Sequence, residues 1–320
     1  MPLHLAAGNK ASEAEVLALL AAHPEGVKEK DSNGRVPLHH AVRSKATDAV
    51  VLALLNASPM PLHDAVESKA PDAMILSLLE AHPEGTKVKD SRDKLPLHHA
   101  MENKASAAVV LALLAAHLEG AREKYINGDL PLHYAAENTE NKASDAVVLA
   151  LLAAHPEGAK VKDSNSKLPL HYALEKQASD AVVRALLEAH PEGAKEKGVD
   201  GLLPLYKGLE NRASDAVVQA LLEAHHEGAK EKDSNGLLPL HFAMMNQASD
   251  AVVLALLAAC AEGAKQEKDG LARLAATAQG AGEQKIGHRA VVLALLEAHP
   301  DGVKVKNRSG LLPLHSTMRL

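Results

Sequence analysis

Apolar residues recur along the chain in two alternating patterns, and residues 236–259 show both of them. Leu240, Ala243 and Met244 follow the i, i+3, i+4 spacing of one helix face, behind a proline that suits the first helical position. A second pattern, A-V-V-L-A-L-L-A-A, supplies a wide apolar stripe behind Ser249, which is an expected N-cap. The first helix spans only about eight residues and must pack to be stable. The pattern therefore predicts a helix–turn–helix repeat.

A short polar segment, here called the finger, follows each second helix. It begins with A-H-P-E-G, in which histidine lies near the negative helix end while proline and glycine stop the helix. The residues K-x-K-D-S-N-G that follow are polar and turn-forming, and they predict a projecting hairpin or loop. Each repeat is thus expected to be helix, turn, helix and finger.

The pattern recurs along nearly the whole chain, which indicates a stacked array rather than a single core. The P-L-H triplet, or its remnant, mostly returns every 35 residues. The interval from Pro37 to Pro61 is only 24 residues, so most of a finger is missing around residues 57–61 and we expect a local kink or a missing hairpin. The triplet is also absent from residues 269–288, which we interpret as a degenerate repeat.

These repeats predict a single array over residues 1–320, with about nine helix pairs and no polar capping repeat at either end. The nine second helices are predicted at Glu13–Ala22, Asp48–Ala57, Asp72–Ala81, Ala107–Ala116, Asp145–Ala154, Asp180–Ala189, Asp215–Ala224, Asp250–Ala259 and Arg289–Ala298.

The patterns G-x-x-P-L-H-x-A, V-V-x-x-L-L-x-A and D-x-x-G together resemble the ankyrin repeat, and the resemblance covers nearly all of the chain. It implies an all-α solenoid in which stacked helix–turn–helix repeats are joined by short hairpin or loop fingers. This sequence departs from the family in two ways. Val, Met or Leu replaces the usual Thr before the proline, so the hydroxyl that would help to fix the histidine is absent. The Gly expected between the two helices is also missing.

Composition narrows the classes of function. Of the 320 residues, 47% are apolar and only 2% aromatic, so the core must consist of Ala, Leu and Val. A net charge of −6 without a strongly basic region argues against nucleic-acid binding. The single cysteine, Cys260, excludes a disulfide framework and favours a reducing compartment. No signal peptide is recognisable and no apolar run reaches the roughly 18 residues of a membrane span, so we expect an intracellular protein, cytoplasmic or nuclear.

The 19 histidines suggest metal binding or catalysis at first sight, but most of them recur with the repeat. Residues that recur in this way are scaffold, with capping or hydrogen-bonding roles. The adjacent pairs His39–His40 and His98–His99 diverge on a helix and cannot hold one ion together. No nucleophile or acid–base pair stands out. We therefore predict no catalytic residue, no metal, no cofactor and no small-molecule substrate, in a protein that is not an enzyme.

Function is expected where the repeats differ. On the first helix the residue after P-L-H (the first variable position) and the residue three places later (the second variable position) vary and share the face opposite the apolar stripe. Stacking would align them into a ridge of acids and aromatic residues, on the side that the ankyrin resemblance assigns to binding. The alternative is a solvated face whose acids are screened by Lys104, Lys142 or Arg212. The predicted contacts to a protein partner with a basic surface are His99, Glu102, Tyr134, Glu137, Tyr172, Glu175, Lys207, Glu210, Phe242 and Met245.

Two further patterns concern the second helix and the finger. The position after V-V is mostly leucine, including Leu111, Leu149 and Leu254, and an outward apolar column of this kind favours self-association. The alternative is that leucine serves there as a strong helix former that tucks into the next helix. The K-x-K cations of the fingers would form a basic edge, either as solvated charge or for an anionic partner.

The sequence thus predicts a non-enzymatic scaffold or adaptor that binds another protein through the ridge of its first helices. Two alternatives stay open at this point. One is a structural array that self-associates through the leucine column, and the other is the regulatory repeat segment of a larger enzyme.

Overall fold

The computed structural model describes residues 2–125, 128–138 and 142–261. Within these ranges the chain forms sixteen α-helices and no strand. No helix of the described part is long and apolar enough to cross a membrane. The helices are α1 Pro2–Gly8, α2 Glu13–Ala22, α3 Pro37–Ser44, α4 Asp48–Asn56, α5 Pro61–Glu67, α6 Asp72–Ala81, α7 Pro96–Glu102, α8 Ala107–Ala116, α9 Pro131–Glu137, α10 Lys142–Ala154, α11 Pro169–Glu175, α12 Asp180–Ala189, α13 Pro204–Glu210, α14 Asp215–Ala224, α15 Pro239–Met245 and α16 Asp250–Ala261.

The helices alternate as predicted, with the proline of each triplet as the first residue of a first helix. The second helices begin and end within a few residues of their predicted bounds. The ninth predicted second helix, Arg289–Ala298, and the degenerate repeat at 269–288 lie outside the described residues.

The chain divides after Gly158 into two compact units. In the first unit α5 packs on α7 and α7 on α9, while α6 packs on α8 and α8 on α10. In the second unit α11, α13 and α15 form one layer, and α12, α14 and α16 form the other. Each unit is therefore a two-layer stack in which first helices contact first helices and second helices contact second helices.

The core between the layers consists of aliphatic side chains. In α14 the buried residues are Val217, Val218, Leu221 and Leu222, and the paired helix α13 buries Leu205 against them. Burying a side chain of this size contributes about 1.5–3 kcal/mol. Helices of seven to ten residues are unstable alone, so this packing between neighbours holds them in place.

Serine and threonine N-caps start most of the second helices, as the sequence predicts, although α6 follows Pro71 without a side-chain cap. The hydroxyl of Ser214 accepts a hydrogen bond of 3.2 Å from the N–H of Val217, and Ser249 does the same for Val252. Side-chain caps are confirmed at Ser12, Thr47, Ser106, Ser179 and Ser214.

The turn between the two helices of a repeat keeps the backbone that glycine favours without using glycine. Lys45 caps α3 in the left-handed region, with φ 55° and ψ 50°. A side chain in this region costs roughly 1–2 kcal/mol. Equivalent residues with φ between 54° and 59° are Lys10, Lys69, Lys104, Gln177, Arg212 and Gln247.

The fingers contain a helical turn that the sequence reading missed. In the second unit, for example, the residues Pro191–Lys195 form a short 3-10 helix directly after α12. Asp163 then shows how a finger closes: its N–H donates to the carbonyl of Lys167 at 3.0 Å, and its Oδ1 accepts from the N–H groups of Asn165 and Lys167. The loop form of the finger is therefore correct, and no strand of a hairpin occurs in the described residues.

The short interval near residue 57 joins two helix pairs directly. Helix α4 ends at Asn56 and α5 begins at Pro61, with no 3-10 helix between them. Helix α4 contacts α5, but α3 does not pack along α5, nor α4 along α6, as like helices do elsewhere in this unit. The missing finger thus interrupts the regular stacking.

Candidate protein-interaction surface

In several repeats the histidine of the P-L-H triplet joins the first helix to a finger. In His98 the ring Nδ1 accepts the N–H of Leu95 at 2.8 Å, which satisfies the start of α7. Its Nε2 lies 3.0 Å from the carbonyl of Glu123 in the finger that follows. Since Nδ1 is an acceptor, the ring is neutral and Nε2 carries the proton. Burial lowers the pKa of His98, in agreement with this neutral form.

Backbone N–H thus takes the place of the missing threonine hydroxyl in holding the histidine. His171 repeats the arrangement, with Leu168 at 3.0 Å and the carbonyl of Glu196 at 3.0 Å. The repeat with P-L-Y achieves it differently, because the hydroxyl of Tyr206 lies within hydrogen-bonding distance of the carbonyls of both Glu231 and Leu237. These side chains are scaffold, as the sequence predicts.

The first variable position is tied to the finger that precedes its helix. His99 Nε2 lies 2.9 Å from Oδ2 of Asp90, and the Tyr172 hydroxyl donates to Oδ2 of Asp163 at 2.6 Å. Each aspartate begins its finger turn and lies nine residues before its partner. The sequence reading missed this coupling, although the fixed spacing of the two positions was visible in it.

His99 is a correction to the predicted contact set. Its side chain is only 2% exposed, so it presents no surface to a partner. Burial would raise the pKa of Asp90, but hydrogen bonds from the Lys94 N–H, from His99 and from the Arg92 N–H lower it to about 2. The pair therefore serves the finger turn and not an interface.

The aromatic residues at this position are partly exposed. Tyr134 stacks on Tyr125, with ring centroids 4.3 Å apart and an interplanar angle of 25°. Phe242 meets Tyr206 edge-on at 4.9 Å. Tyr172 also carries the Lys167 ammonium 4.9 Å above its ring.

Lys207 occupies the first variable position of its repeat as a paired cation. Its Nζ lies 2.7 Å from Asp200 and 3.0 Å from Glu210, and its side chain is 16% exposed. The lysine thus links Asp200, in the finger that precedes α13, to Glu210 at the second variable position of α13.

Most acids at the second variable position are paired with a nearby cation. Glu102 pairs with Lys94, and Glu175 pairs with Lys167 at 2.7 Å. Both cations end a finger, a source of screening that the sequence reading did not include. Glu137 is exposed at the same position in its repeat, and Met245 is 57% exposed.

The leucine column on the second helices is only partly exposed. Leu149 is 38% exposed and Leu17, in the same column, is 47% exposed. Leu111 and Leu254 are partly covered by their neighbours. Some leucines of the column are thus exposed and others are partly covered. Each of the two interpretations drawn from the sequence describes part of the column.

Most of the K-x-K cations of the described fingers are neutralised rather than gathered into a basic edge. Lys195 pairs with Glu192 three residues earlier. The second cations point to the acid of the next finger, as in Lys162–Glu196 at 2.8 Å and Lys197–Glu231 at 2.9 Å. The resulting ladder of opposite charges gives no support to an anionic partner. Nor do the described residues contain a cluster of three or more His, Cys, Asp or Glu side chains that could hold a metal ion.

Comparison with protein families agrees with the repeated helix pairs. A family model of ankyrin repeats matches residues 97–195, in three copies. These residues are ankyrin repeats. No curated protein sequence matches the chain.

The ankyrin match falls on α7 to α12, and the same pairing of helices continues on both sides of it, in α1 to α6 and in α13 to α16. Ankyrin repeats are modules of protein–protein interaction. Within the matched residues the P-L-H histidine is kept, while leucine precedes the proline.

Proposed function

We propose that this protein is a non-enzymatic scaffold or adaptor that binds another protein through the exposed side of its first helices. The supporting observation concerns its aromatic residues. The chain has only five, and the three that are partly exposed, Tyr134, Tyr172 and Phe242, all occupy the first variable position. Aromatic residues anchor interfaces more often than other types. With His99 removed, the proposed contact residues are Glu102, Tyr134, Glu137, Tyr172, Glu175, Lys207, Glu210, Phe242 and Met245.

The way these aromatics are held suits a binding surface. Tyr172 is fixed by its bond to Asp163 and by the cation above its ring, and Tyr134 is fixed by stacking on Tyr125. A side chain that is ordered before binding loses less conformational entropy on binding. The fingers therefore prepare the surface that the first helices present.

The proposed partner carries basic residues. The side chain of Glu210 is 48% exposed, and Glu137 is exposed in the other compact unit. Arginine or lysine on a partner could pair with these carboxylates at the rim of an aromatic contact, which would favour fast association more than tight binding. An intracellular location, cytoplasmic or nuclear, belongs to the same proposal and is supported by the single cysteine.

The test is crosslinking capture of partners from a cell lysate, followed by mass spectrometry. We expect the wild-type chain to enrich a protein that the variant Tyr134→Ala/Tyr172→Ala/Glu137→Ala loses by at least about tenfold, since interface anchors of this kind each contribute about 2 kcal/mol. The matched control is Arg184→Ala/Gln219→Ala, on exposed second-helix positions. Equal capture by the wild type and the triple variant would contradict the proposal.

Self-association is a second candidate, favoured by the exposure of Leu17 and Leu149 in one compact unit. If it occurs, the mass in light scattering rises with concentration and Leu149→Lys returns it to that of a monomer. A mass that is independent of dilution rules it out. A regulatory role inside a larger enzyme would use the same first-helix surface, and a full-length transcript would test it.

A further inference from the structure

One finger is missing from the array, and the site that it would fill can be compared with its filled equivalents. In complete repeats the 3-10 helix contacts the start of its own first helix. A Cβ on Gly120 would meet Leu95 and Leu97 at 3.5 and 3.4 Å, and a Cβ on Gly193 would meet Leu168 at 3.4 Å. The same turn also packs on the next first helix. A finger is thus wedged between two successive first helices.

The repeat of α3 and α4 has no such turn, and its first helix is correspondingly uncovered. Val36, which precedes the proline of α3, is partly exposed. The residues equivalent to it in repeats with a finger, Leu95, Leu130, Leu168 and Leu203, are each 1% exposed.

The histidine of this repeat also lacks its partner. His39 is the P-L-H histidine of α3, and it is partly exposed while the other P-L-H histidines of the described chain are buried. Its Nε2 has no finger carbonyl to meet, whereas His98 and His171 bond the carbonyls of Glu123 and Glu196.

A third observation comes from the charge ladder of the fingers. The second cation of a finger pairs with the acid of the next finger, as Lys89 does with Glu123 and Lys162 with Glu196. Lys30 is the equivalent cation before the missing finger, and it makes no ion pair within the described residues. Val36, His39 and Lys30 therefore each lack a contact that a finger provides in the complete repeats. All three border the site of the missing finger.

We propose that this vacant finger site between α3 and α5 binds a short segment of a partner protein that has the shape and chemistry of a finger. The segment would place a turn of small residues on Val36. One of its residues would then make two contacts: its backbone carbonyl would accept from Nε2 of His39, and its carboxylate would pair with Lys30. Glu196 already combines the last two roles in this chain, because its carbonyl meets His171 and its side chain meets Lys162. The site is separate from the surface proposed above.

The direct test uses the chain's own finger as the probe. A synthetic peptide with the sequence of residues 191–198, P-E-G-A-K-E-K-G, acetylated and amidated, carries the required turn, carbonyl and acid. Fluorescence anisotropy with the full chain should show saturable one-site binding. Lys30→Glu should weaken binding at least about tenfold, and a peptide with lysine in place of its second glutamate should bind that variant better than the original peptide does.

Three controls keep the result specific. Lys162→Glu changes the same type of residue at a site filled by the chain's own Glu196, and it should leave peptide binding unchanged. His39→Phe keeps a ring but removes the donor, and it should weaken binding while the circular dichroism spectrum stays that of the wild type. Inserting the same eight residues between Ala57 and Ser58 should block the peptide.

Other outcomes would overturn the proposal. These are the absence of saturable binding in the millimolar range, and binding that Lys30→Glu and His39→Phe leave unchanged. A concentration-dependent dimer that Lys30→Glu dissociates would assign the site to a second copy of this chain instead. The Tyr134→Ala/Tyr172→Ala/Glu137→Ala variant should bind the peptide normally, so failure of the first-helix surface can be told apart from failure of this one.

Discussion

The hydroxyl of Tyr172 donates a hydrogen bond of 2.6 Å to Oδ2 of Asp163, the residue that begins the turn of the preceding finger. The other carboxylate oxygen of Asp163 accepts the N–H groups of Asn165 and Lys167. One carboxylate therefore closes the finger turn and holds a side chain that we propose contacts a partner. Variation on the first helix is coupled in this way to the finger beside it.

We expect Asp163→Ala to destabilise the second compact unit by about 2–3 kcal/mol, since it removes both the turn and the tyrosine contact. Tyr172→Phe removes only the latter and should cost about 1 kcal/mol. Urea denaturation followed by circular dichroism measures both. In the Asp163→Ala background the Tyr172→Phe change should cost less than half as much, and full additivity would contradict the coupling.

Glycine should stabilise the left-handed turns between the helices. Gln177 has φ 55° and Gln247 has φ 56°, values that a side chain disfavours. Replacing either by Gly relieves this strain but raises the entropy of the unfolded chain, so the expected net gain is about 0.5–1 kcal/mol. The control is Arg184→Gly at an exposed position in the middle of α12, which should lose about 1 kcal/mol.

Stability to thermal unfolding in the same buffer checks this pair of changes. A lower melting temperature for both Gln177→Gly and Gln247→Gly would show that their side chains contribute more than their backbone strain costs. The left-handed conformation would then not be what limits the stability of these turns.

The buried histidines predict a loss of stability in mild acid. Burial lowers the pKa values of His63, His98 and His171 below their ordinary value of 6.5. Below pH 6.5 the unfolded chain therefore takes up protons that the folded chain does not, so stability is present above that pH and falls as the pH drops through the folded pKa values. The melting temperature, measured at a series of pH values from neutral to pH 5, should fall as the pH is lowered.

Tyr206 supplies the matched substitution for this experiment, because it fills a histidine position with a group that stays neutral over the same range. We expect His171→Tyr to make the decline in the second compact unit shallower. A melting temperature that is constant between pH 7.5 and about pH 5 would contradict the histidine argument.

Two glycines of the 3-10 helices should respond differently to alanine. A Cβ on Gly228 would lie 2.8 Å from the ring of His225, whose side chain is 13% exposed and bonds Glu231. A Cβ on Gly26 would lie 2.9 Å from the ring of His23, but that side chain is 60% exposed and can move away. We expect Gly228→Ala to cost about 1–3 kcal/mol and Gly26→Ala less than 1 kcal/mol. Equal losses in chemical denaturation would contradict this difference.

Much of the fold could be predicted because its signals are local and repeated. Proline at the start of a first helix and serine at the start of a second act on their own backbone, so Pro204 and Ser214 mark the starts of α13 and α14. The interpretation of A-H-P-E-G as a stop was incomplete, because its 3-10 turn is stabilised by contact with Leu95 and its equivalents.

The candidate surface could be predicted only by position. The variable positions stood out from comparison of the repeats, and the structure places Tyr134, Tyr172 and Phe242 at partly exposed sites there. His99 is buried and Glu102 is paired with Lys94 because the finger packs against the helix that follows it. No local pattern carries that information.

The sequence by itself determined the helix pairs, their caps and their order, since a period of 35 residues and short-range hydrogen bonds are properties of neighbouring residues. Only the tertiary structure decided which variable side chains remain for a partner. Asp163 and Tyr172 meet because the finger turn returns to the helix that follows it, and Val36 and His39 are left uncovered because no finger returns to them.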